Sequence, residues 1–246
     1  MPALLRRLAD RARWEYREWR TPSAPSFIQE ELDRALLDEI PWRSGERLLD
    51  VGCGPGRYLR AFAERGLDPV GLDLSLEALR QARARHPDRV LAASGDRLPF
   101  ADASFDAVVC HKTLHLFPTP LRVADEFVRV VRPGGRIVFS TSNPASPYAR
   151  ISTAVLRRLR APNWGRANRW SVAEWRRAFE QRGLRLAAIY SCNLVWPLVF
   201  RIGDLWLLPN EWMRRYNRCV RRAVGLPLRT PRPCGAAMDY VIELRK

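Results

Sequence analysis

The sequence predicts a doubly wound α/β fold, and three observations carry that prediction. Leu48 to Val51 is a short, mostly apolar run of the kind that makes a buried strand. It opens directly into Gly52-Cys53-Gly54-Pro55-Gly56, and a helical pattern follows with apolar residues at Leu59, Phe62 and Ala63. From there to Thr141, short apolar runs alternate with amphipathic stretches, the rhythm of βαβ units on a parallel sheet. Glycines between a strand end and a helix start fall in the crevice where open α/β sheets bind ligands.

Taken in order, residues 1–20 read as a charged amphipathic helix carrying Trp14, Tyr16 and Trp19, and Thr21-Pro22-Ser23-Ala24-Pro25 breaks it. A second helix spans Phe27 to Ile40, with Ile28, Leu32, Ala35, Leu36 and Ile40 on one stripe that covers a sheet edge. These N-terminal helices occupy residues 1–40. Packing is their simplest role, and Tyr16 is the residue among them best suited to reach a ligand. After the glycine turn, the helix from Arg57 to Arg65 stops at Gly66, a C′ glycine.

The second strand, Pro69 to Asp73, ends in an acid 17 residues beyond Gly56. Ser75 caps the helix that runs to Arg85. Val90 to Ala93 is the third strand, followed by Ser94-Gly95-Asp96-Arg97-Leu98-Pro99-Phe100. The fourth strand, Phe105 to Cys110, delivers His111-Lys112-Thr113-Leu114-His115 to its carboxyl end. A helix over Pro118 to Val131 leads through an Arg132-Pro133-Gly134-Gly135 turn into the fifth strand, Arg136 to Thr141. Beyond it, Ser171-Val172-Ala173-Glu174 starts a helix with a capping box, Leu184 to Cys192 reads as a strand, and Ala237 to Leu244 closes the chain.

The ligand is constrained by the glycine turn. A dinucleotide is the rival, since strand, glycine turn and helix also describe its fold. However, the spacing here is Gly-x-Gly-x-Gly, and Arg57 stands where the dinucleotide pattern needs its third glycine. Asp50, at the strand end, would repel a pyrophosphate and attract a cation. The stretch from Leu48 to Ser142 closely resembles class I S-adenosylmethionine-dependent methyltransferases, in particular the small-molecule branch similar to ubiquinone/menaquinone C-methyltransferases. The resemblance implies a mostly parallel seven-stranded sheet in a single domain over residues 1–246, with two substrate-covering inserts at 144–170 and 194–234. It implies S-adenosylmethionine as cofactor. Asp50 would hold the ligand's ammonium, Gly52, Gly54 and Gly56 would give it room, and Asp73, with Leu74 beside it, would take the ribose. Asp96, with the backbone of Arg97 and Leu98, would take the adenine.

His111 and His115 are the residues best suited to acid/base work, because an imidazole titrates near neutral pH. The alternative is that His111 flanks the cofactor's methionine end while His115 packs or caps, since methyl transfer can run on positioning. The Asn/Asp-Pro-Pro-aromatic motif of amino-directed nucleobase methyltransferases is absent after the fourth strand. Asn143-Pro144 and Ser146-Pro147-Tyr148 follow the fifth strand and are decoys. No metal is expected.

The net charge of +16 is unevenly placed. Residues 1–143 hold 22 basic and 20 acidic side chains, a net +2, and residues 144–246 hold 20 and 6, a net +14. In the second insert, Leu194 to Leu208 is apolar and aromatic, and Glu211 to Val224 is a helix carrying Arg214, Arg215, Arg218, Arg221 and Arg222. That pairing suits a membrane surface or a lid over an amphipathic substrate, or equally a covering hairpin with a solvated arginine face. The acceptor expected first is a small or lipid-like molecule. RNA is the second class, because Gly56-Arg57-Tyr58-Leu59 also resembles tRNA wobble-uridine methyltransferases and positive charge attracts phosphate. A non-catalytic cofactor-binding subunit is the third. The five cysteines show no Cys-x-x-Cys spacing and read as reduced thiols. Met1 to Arg20 is too charged for a signal-peptide core, so a cytoplasmic or peripheral membrane location is expected.

Overall fold

The computed structural model describes residues 27–86, 88–147, 149–150, 170–194, 201–202, 205–206, 215, 218–219, 221–222, 227–230, 232–234 and 237–246. The helix expected over 1–20, with Tyr16, lies outside the described residues, as do most of both inserts. The chain divides into two compact units.

The first unit is described over Pro41–Phe139 and Arg245–Lys246. Its strands are β1 (Arg47–Val51), β2 (Asp68–Asp73), β3 (Val90–Ala92), β4 (Phe105–Cys110) and the start of β5 (Val131–Ser142). They lie in the order β3-β2-β1-β4-β5, and every adjacent pair is parallel. The order therefore reverses between β1 and β4, which creates a crevice at their carboxyl ends. Leu48, Leu49 and Val51 of β1 are fully buried, as a strand covered on both faces requires.

Between the strands run α2 (Arg57–Ala63), α3 (Leu76–Arg83) and α4 (Pro120–Val130), while α1 (Phe27–Arg34) belongs to the second unit. Val123, Ala124, Phe127 and Val130 of α4 are buried at i, i+1, i+4 and i+7, an apolar stripe facing a sheet. The buried stripe of α2 is Tyr58, Leu59 and Phe62, while Ala63, expected on it, is exposed. Ser75 caps α3 as expected, its side chain accepting from the Ala78 amide at 3.2 Å.

The fifth strand begins earlier than the sequence suggested. Val131 already pairs with Phe105, and the register then slips, so that Arg136 meets Ala107. The Arg132–Gly135 stretch is thus a bulge within β5, not a turn before it. Gly134 sits at φ 76°, and a side chain at Gly135 would meet the Asp106 carbonyl at 2.7 Å. Lys246 closes this corner, its amide and carbonyl bonding Gly135 and Gly134 while its ammonium reaches the Val128 and Val131 carbonyls.

The second unit comprises Pro25–Ile40 and Ser140–Leu244. It contains α1 (Phe27–Arg34), α5 (Val172–Glu180), β6 (Arg185–Leu194), β7 (Arg201–Ile202), β8 (Leu205–Trp206), β9 (Arg229–Thr230) and β10 (Ala237–Arg245) up to Leu244. Strands β10, β6 and β9 lie in that order, with β9 antiparallel to β6, and β7 pairs with β8 as a separate ribbon. Among the described residues, five sheet strands belong to the first unit and these three to the second, where seven in all were expected. The addition is β9, a two-residue edge strand with too little periodicity to read from sequence. The helix after Ser171 carries the expected capping box, Ser171 Oγ accepting from the Glu174 amide and Glu174 Oε2 from the Ser171 amide. The Phe27–Ile40 helix is α-helical only to Arg34 and continues as a π turn over Ala35–Glu39. Leu32, Ala35, Leu36 and Ile40 are buried as predicted, and Glu39 and Glu31 bond to Tyr190 and Asn193 of β6.

Candidate functional site

The crevice between β1 and β4 gathers most of the residues singled out by sequence. Asp50 is 1% exposed, and among the described residues nothing hydrogen-bonds its Oδ2. Burial, and secondarily the nearby Asp73 charge, push its carboxyl up to about 7. The chain then turns through Gly52 (φ 81°), Gly54 (φ 53°) and Gly56 (φ 81°), left-handed conformations that only glycine adopts cheaply. The turn hangs from the end of β2, with the Gly52 and Cys53 amides both donating to the Leu72 carbonyl at 2.8 and 3.0 Å.

Asp73 ties the same corner. Its Oδ2 accepts from the Gly54 amide at 2.9 Å and its Oδ1 from the Ser75 amide at 2.8 Å. Burial raises its pKa, and these amide bonds oppose the rise. The Leu74 amide bonds this carboxylate as well, so of its about four acceptor sites about one is left for a ligand hydroxyl. Leu74, next in the chain, is half-buried.

Asp96 is half-buried in the loop after β3, and Thr119 Oγ1 donates to its Oδ2 at a long 3.5 Å. Gly95 before it has no room for a side chain, which would meet Phe117 Cζ at 2.7 Å and Val51 Cγ1 at 3.0 Å. The two amides expected at the adenine are already engaged. Arg97 N–H donates to the Ser94 carbonyl at 3.1 Å, and Leu98 N–H to Glu126 Oε2 at 2.7 Å. Arg129 of α4 secures this loop, gripping Glu126 with its fork and reaching the Leu98 and Phe100 carbonyls.

His111 is buried, its Nε2 lying 3.3 Å from the Tyr58 hydroxyl. Burial, then the cations Lys112 and Arg57, hold its pKa well below the usual imidazole value, so the ring is neutral. The near-neutral imidazole expected from sequence is corrected here, because a ring walled by α2 cannot hydrate its charged form. His115 lies in a 3-10 turn over Leu114–Leu116 and is half-buried.

Three residues of the site were not singled out by sequence. Tyr58 was left off the α2 stripe, although its i, i+4 relation to Phe62 was a usable signal. Thr113 packs its side chain into the space a Cβ on Gly52 would need, with its own Cβ 2.7 Å from that point, and its Oγ1 donates to the His111 carbonyl at 2.9 Å. Lys112 between them takes φ 52°, which lets the chain double back. Nothing in the sequence announced Thr113 or that turn.

Residues 49–139 match the family model described as a methyltransferase domain. This segment is therefore similar to methyltransferase domains. It runs from β1 to the middle of β5 and holds every site residue named above. Its sequence relatives include a demethylmenaquinone methyltransferase of Renibacterium salmoninarum, 38% identical over 128 residues, covering 51% of this chain and 54% of that protein. A ubiquinone biosynthesis O-methyltransferase of Xylella fastidiosa is 34% identical over 134 residues, with coverage of 51% and 54%. The chain spans about half the length of these curated relatives. The fold extends further: a Thermotoga maritima structure described as an S-adenosylmethionine-dependent methyltransferase, possible histamine N-methyltransferase, matches with TM-score 0.68 over 98% of this chain and 99% of that one, at 18% identity.

S-adenosylmethionine is the cofactor that the methyltransferase-domain match implies. The residues present fit it. An unpartnered buried carboxyl oxygen at Asp50 suits an ammonium, Asp73 keeps acceptor capacity for a ribose hydroxyl, and a side chain at Gly54 would find nothing within 4 Å, so this part of the turn is open.

Proposed function

We propose that the chain transfers a methyl group from S-adenosylmethionine to a small, lipid-like acceptor of the quinol class. The observation that carries this reading is Asp50, a buried carboxyl with an unpartnered oxygen at the head of an open glycine turn. A buried acid in that condition, once ionised, needs a cation, and a pyrophosphate ligand would worsen it. When bound, the cofactor supplies an electrophilic methyl on a sulfonium. Asp50 faces its ammonium, Gly52, Gly54 and Gly56 admit it, and Asp73 with Leu74 receives the ribose. Asp96 takes the adenine amino group, and Arg97 and Leu98 flank the ring while their amides stay in the loop. His111, neutral and held by Tyr58, borders the methionine end; as a general base it would have to take up a charge its burial opposes. An acid/base role, if the acceptor needs one, falls to His115. Holding the acceptor in line supplies much of the rate.

The acceptor class is supported by the relatives, one acting on demethylmenaquinone and one in ubiquinone biosynthesis by name. A peripheral membrane position accords with it. Arg215, Arg218 and Arg222 are exposed on helical residues spaced i, i+3, i+7, one face of a helix within the +14 part of the chain. Among the described residues, no helix is long and apolar enough to cross a membrane.

The test is methyl transfer from labelled S-adenosylmethionine to a panel of reduced demethylated quinones and simple phenols, with bulk tRNA in parallel. Label entering a quinol supports the reading. Label entering tRNA, or no transfer to any quinol or phenol, contradicts it.

A further inference from the structure

We propose that Asp50 carries a proton while the glycine turn is empty and surrenders it as the ligand's ammonium arrives, so that the amino-acid end of the cofactor is bound in exchange for a proton. The inference rests on the cofactor reading above and adds to it the protonation state of the residue that meets the ligand. Its geometric basis is the enclosure of Asp50. The side chain is 1% exposed and its Oδ2 receives no donor from the described residues. An ionised carboxylate in such a place loses its hydration without replacement, and the usual response is to stay neutral.

The titratable groups around it reinforce that choice. From the end of β2, Asp73 presents a second carboxylate, whose oxygens are already turned to the Gly54 and Ser75 amides. From the glycine turn and from β4 come the Cys53 and Cys110 thiols, both pushed up by burial and by the Asp50 charge, so both are neutral. At the end of β4, His111 is neutral as well. None of these can compensate a negative charge on Asp50, and its pKa near 7 follows. The exchange balances simply: the carboxylic O–H breaks, its proton leaves to solvent, and the carboxylate left behind faces the incoming ammonium.

S-adenosylhomocysteine, which keeps the amino-acid end and lacks the reactive methyl, is the probe. Titration calorimetry in buffers of different ionisation enthalpy counts the protons exchanged. The release expected is close to one proton per ligand at pH 6 and about a quarter of one at pH 7.5, for a group titrating near 7. Affinity should rise roughly tenfold per pH unit between 5.5 and 6.5 and flatten toward pH 7. A chain's terminal α-amino group ionises at about 7.7–8.0, and the carboxylate beside the ligand's ammonium holds its proton to still higher pH, so the ligand's own titration lies above these pH values. Adenosine, without the amino-acid end, should bind with no proton release. Asp50→Asn, whose folding is checked by its unfolding transition, should bind S-adenosylhomocysteine more weakly at pH 7.5 and without proton release at pH 6. Wild-type binding with no release at pH 6, or undiminished release in Asp50→Asn, overturns the inference alone. No binding at any pH overturns the cofactor reading and this inference with it.

Discussion

Thr113 fills the space beside Gly52 that a side chain there would need, its Cβ lying 2.7 Å from where a Cβ on Gly52 would stand. The loop after β4 is thereby pressed onto the turn after β1, and the Thr113 hydroxyl holds the His111 carbonyl at 2.9 Å. Gly52 and Gly54 should therefore respond differently to substitution. Gly52→Ala meets both a left-handed φ and a collision, and should destabilise the fold by about 2–4 kcal/mol. Gly54→Ala meets only the φ cost, about 1–2 kcal/mol, because nothing lies within 4 Å. It should fold and yet bind S-adenosylhomocysteine poorly, since the added methyl enters the ligand's space. Denaturant unfolding and calorimetry on both variants separate the two effects; equal stability losses with unchanged Gly54→Ala affinity would contradict this picture.

Asp50 should also set the pH dependence of the ligand-free protein. Its pKa is raised from 3.8 to about 7, so between those values the folded state binds more protons than the unfolded chain. Its contribution to stability is therefore greatest at low pH and declines as pH rises from about 4 to 7. A shift of about three units corresponds to at most about 4 kcal/mol. Asp50→Asn should raise the unfolding midpoint of the ligand-free protein at pH 7.5 and raise it by about a quarter as much at pH 4.5. An equal effect at both values would show that the carboxyl does not titrate in this range.

Asp73 ties Gly54 and Ser75, and in the proposed reading it also receives the ribose. Asp73→Ala should weaken S-adenosylhomocysteine binding by about 1–3 kcal/mol through unpaired groups. Asp73→Asn retains one acceptor oxygen and should lose less. A ligand whose ribose hydroxyls are replaced by hydrogen should lose affinity for the wild type but not for Asp73→Ala. Unchanged affinity in folded Asp73→Ala would leave Asp73 a purely structural role.

The basic helix is not uniformly solvated. Arg221 forks onto Glu31 at 2.8 and 3.1 Å, with the two side chains 14% and 16% exposed, and also reaches the Ser191 and Pro227 carbonyls. Exposed Arg218 and Arg222 are candidates for a surface role instead. Arg221→Ala should cost about 2–4 kcal/mol by leaving a half-buried acid unpaired, while Arg218→Glu should be nearly neutral in denaturant. Arg218→Glu should in turn reduce retention on anionic vesicles, and salt should weaken that retention. Similar stability losses for both variants would contradict the docking of Arg221.

The first unit was largely legible in the sequence because its signals are local. A buried strand, left-handed glycines and the acids at Asp50, Asp73 and Asp96 each announce themselves within a few residues, and Ser75 caps where its side-chain chemistry predicts. What escaped was set by tertiary contact. The β5 bulge depends on Phe105 pairing with Val131 while Ala107 pairs with Arg136. The amides of Arg97 and Leu98 are claimed by Ser94 and by Glu126 on α4, and the near-neutral histidine expected at His111 is overridden by burial against Tyr58. The seventeen-residue spacing from Gly56 to Asp73 carries the ribose reading, but no spacing reports that Thr113 lands on Gly52.

The central claim is that the glycine turn between β1 and α2 receives S-adenosylmethionine. Its most direct test is titration calorimetry of the wild-type protein with S-adenosylmethionine, S-adenosylhomocysteine and NADH at pH 7. The account predicts one-to-one binding of the first two in mutual competition and no uptake of the third. Binding of NADH without binding of S-adenosylmethionine would contradict it.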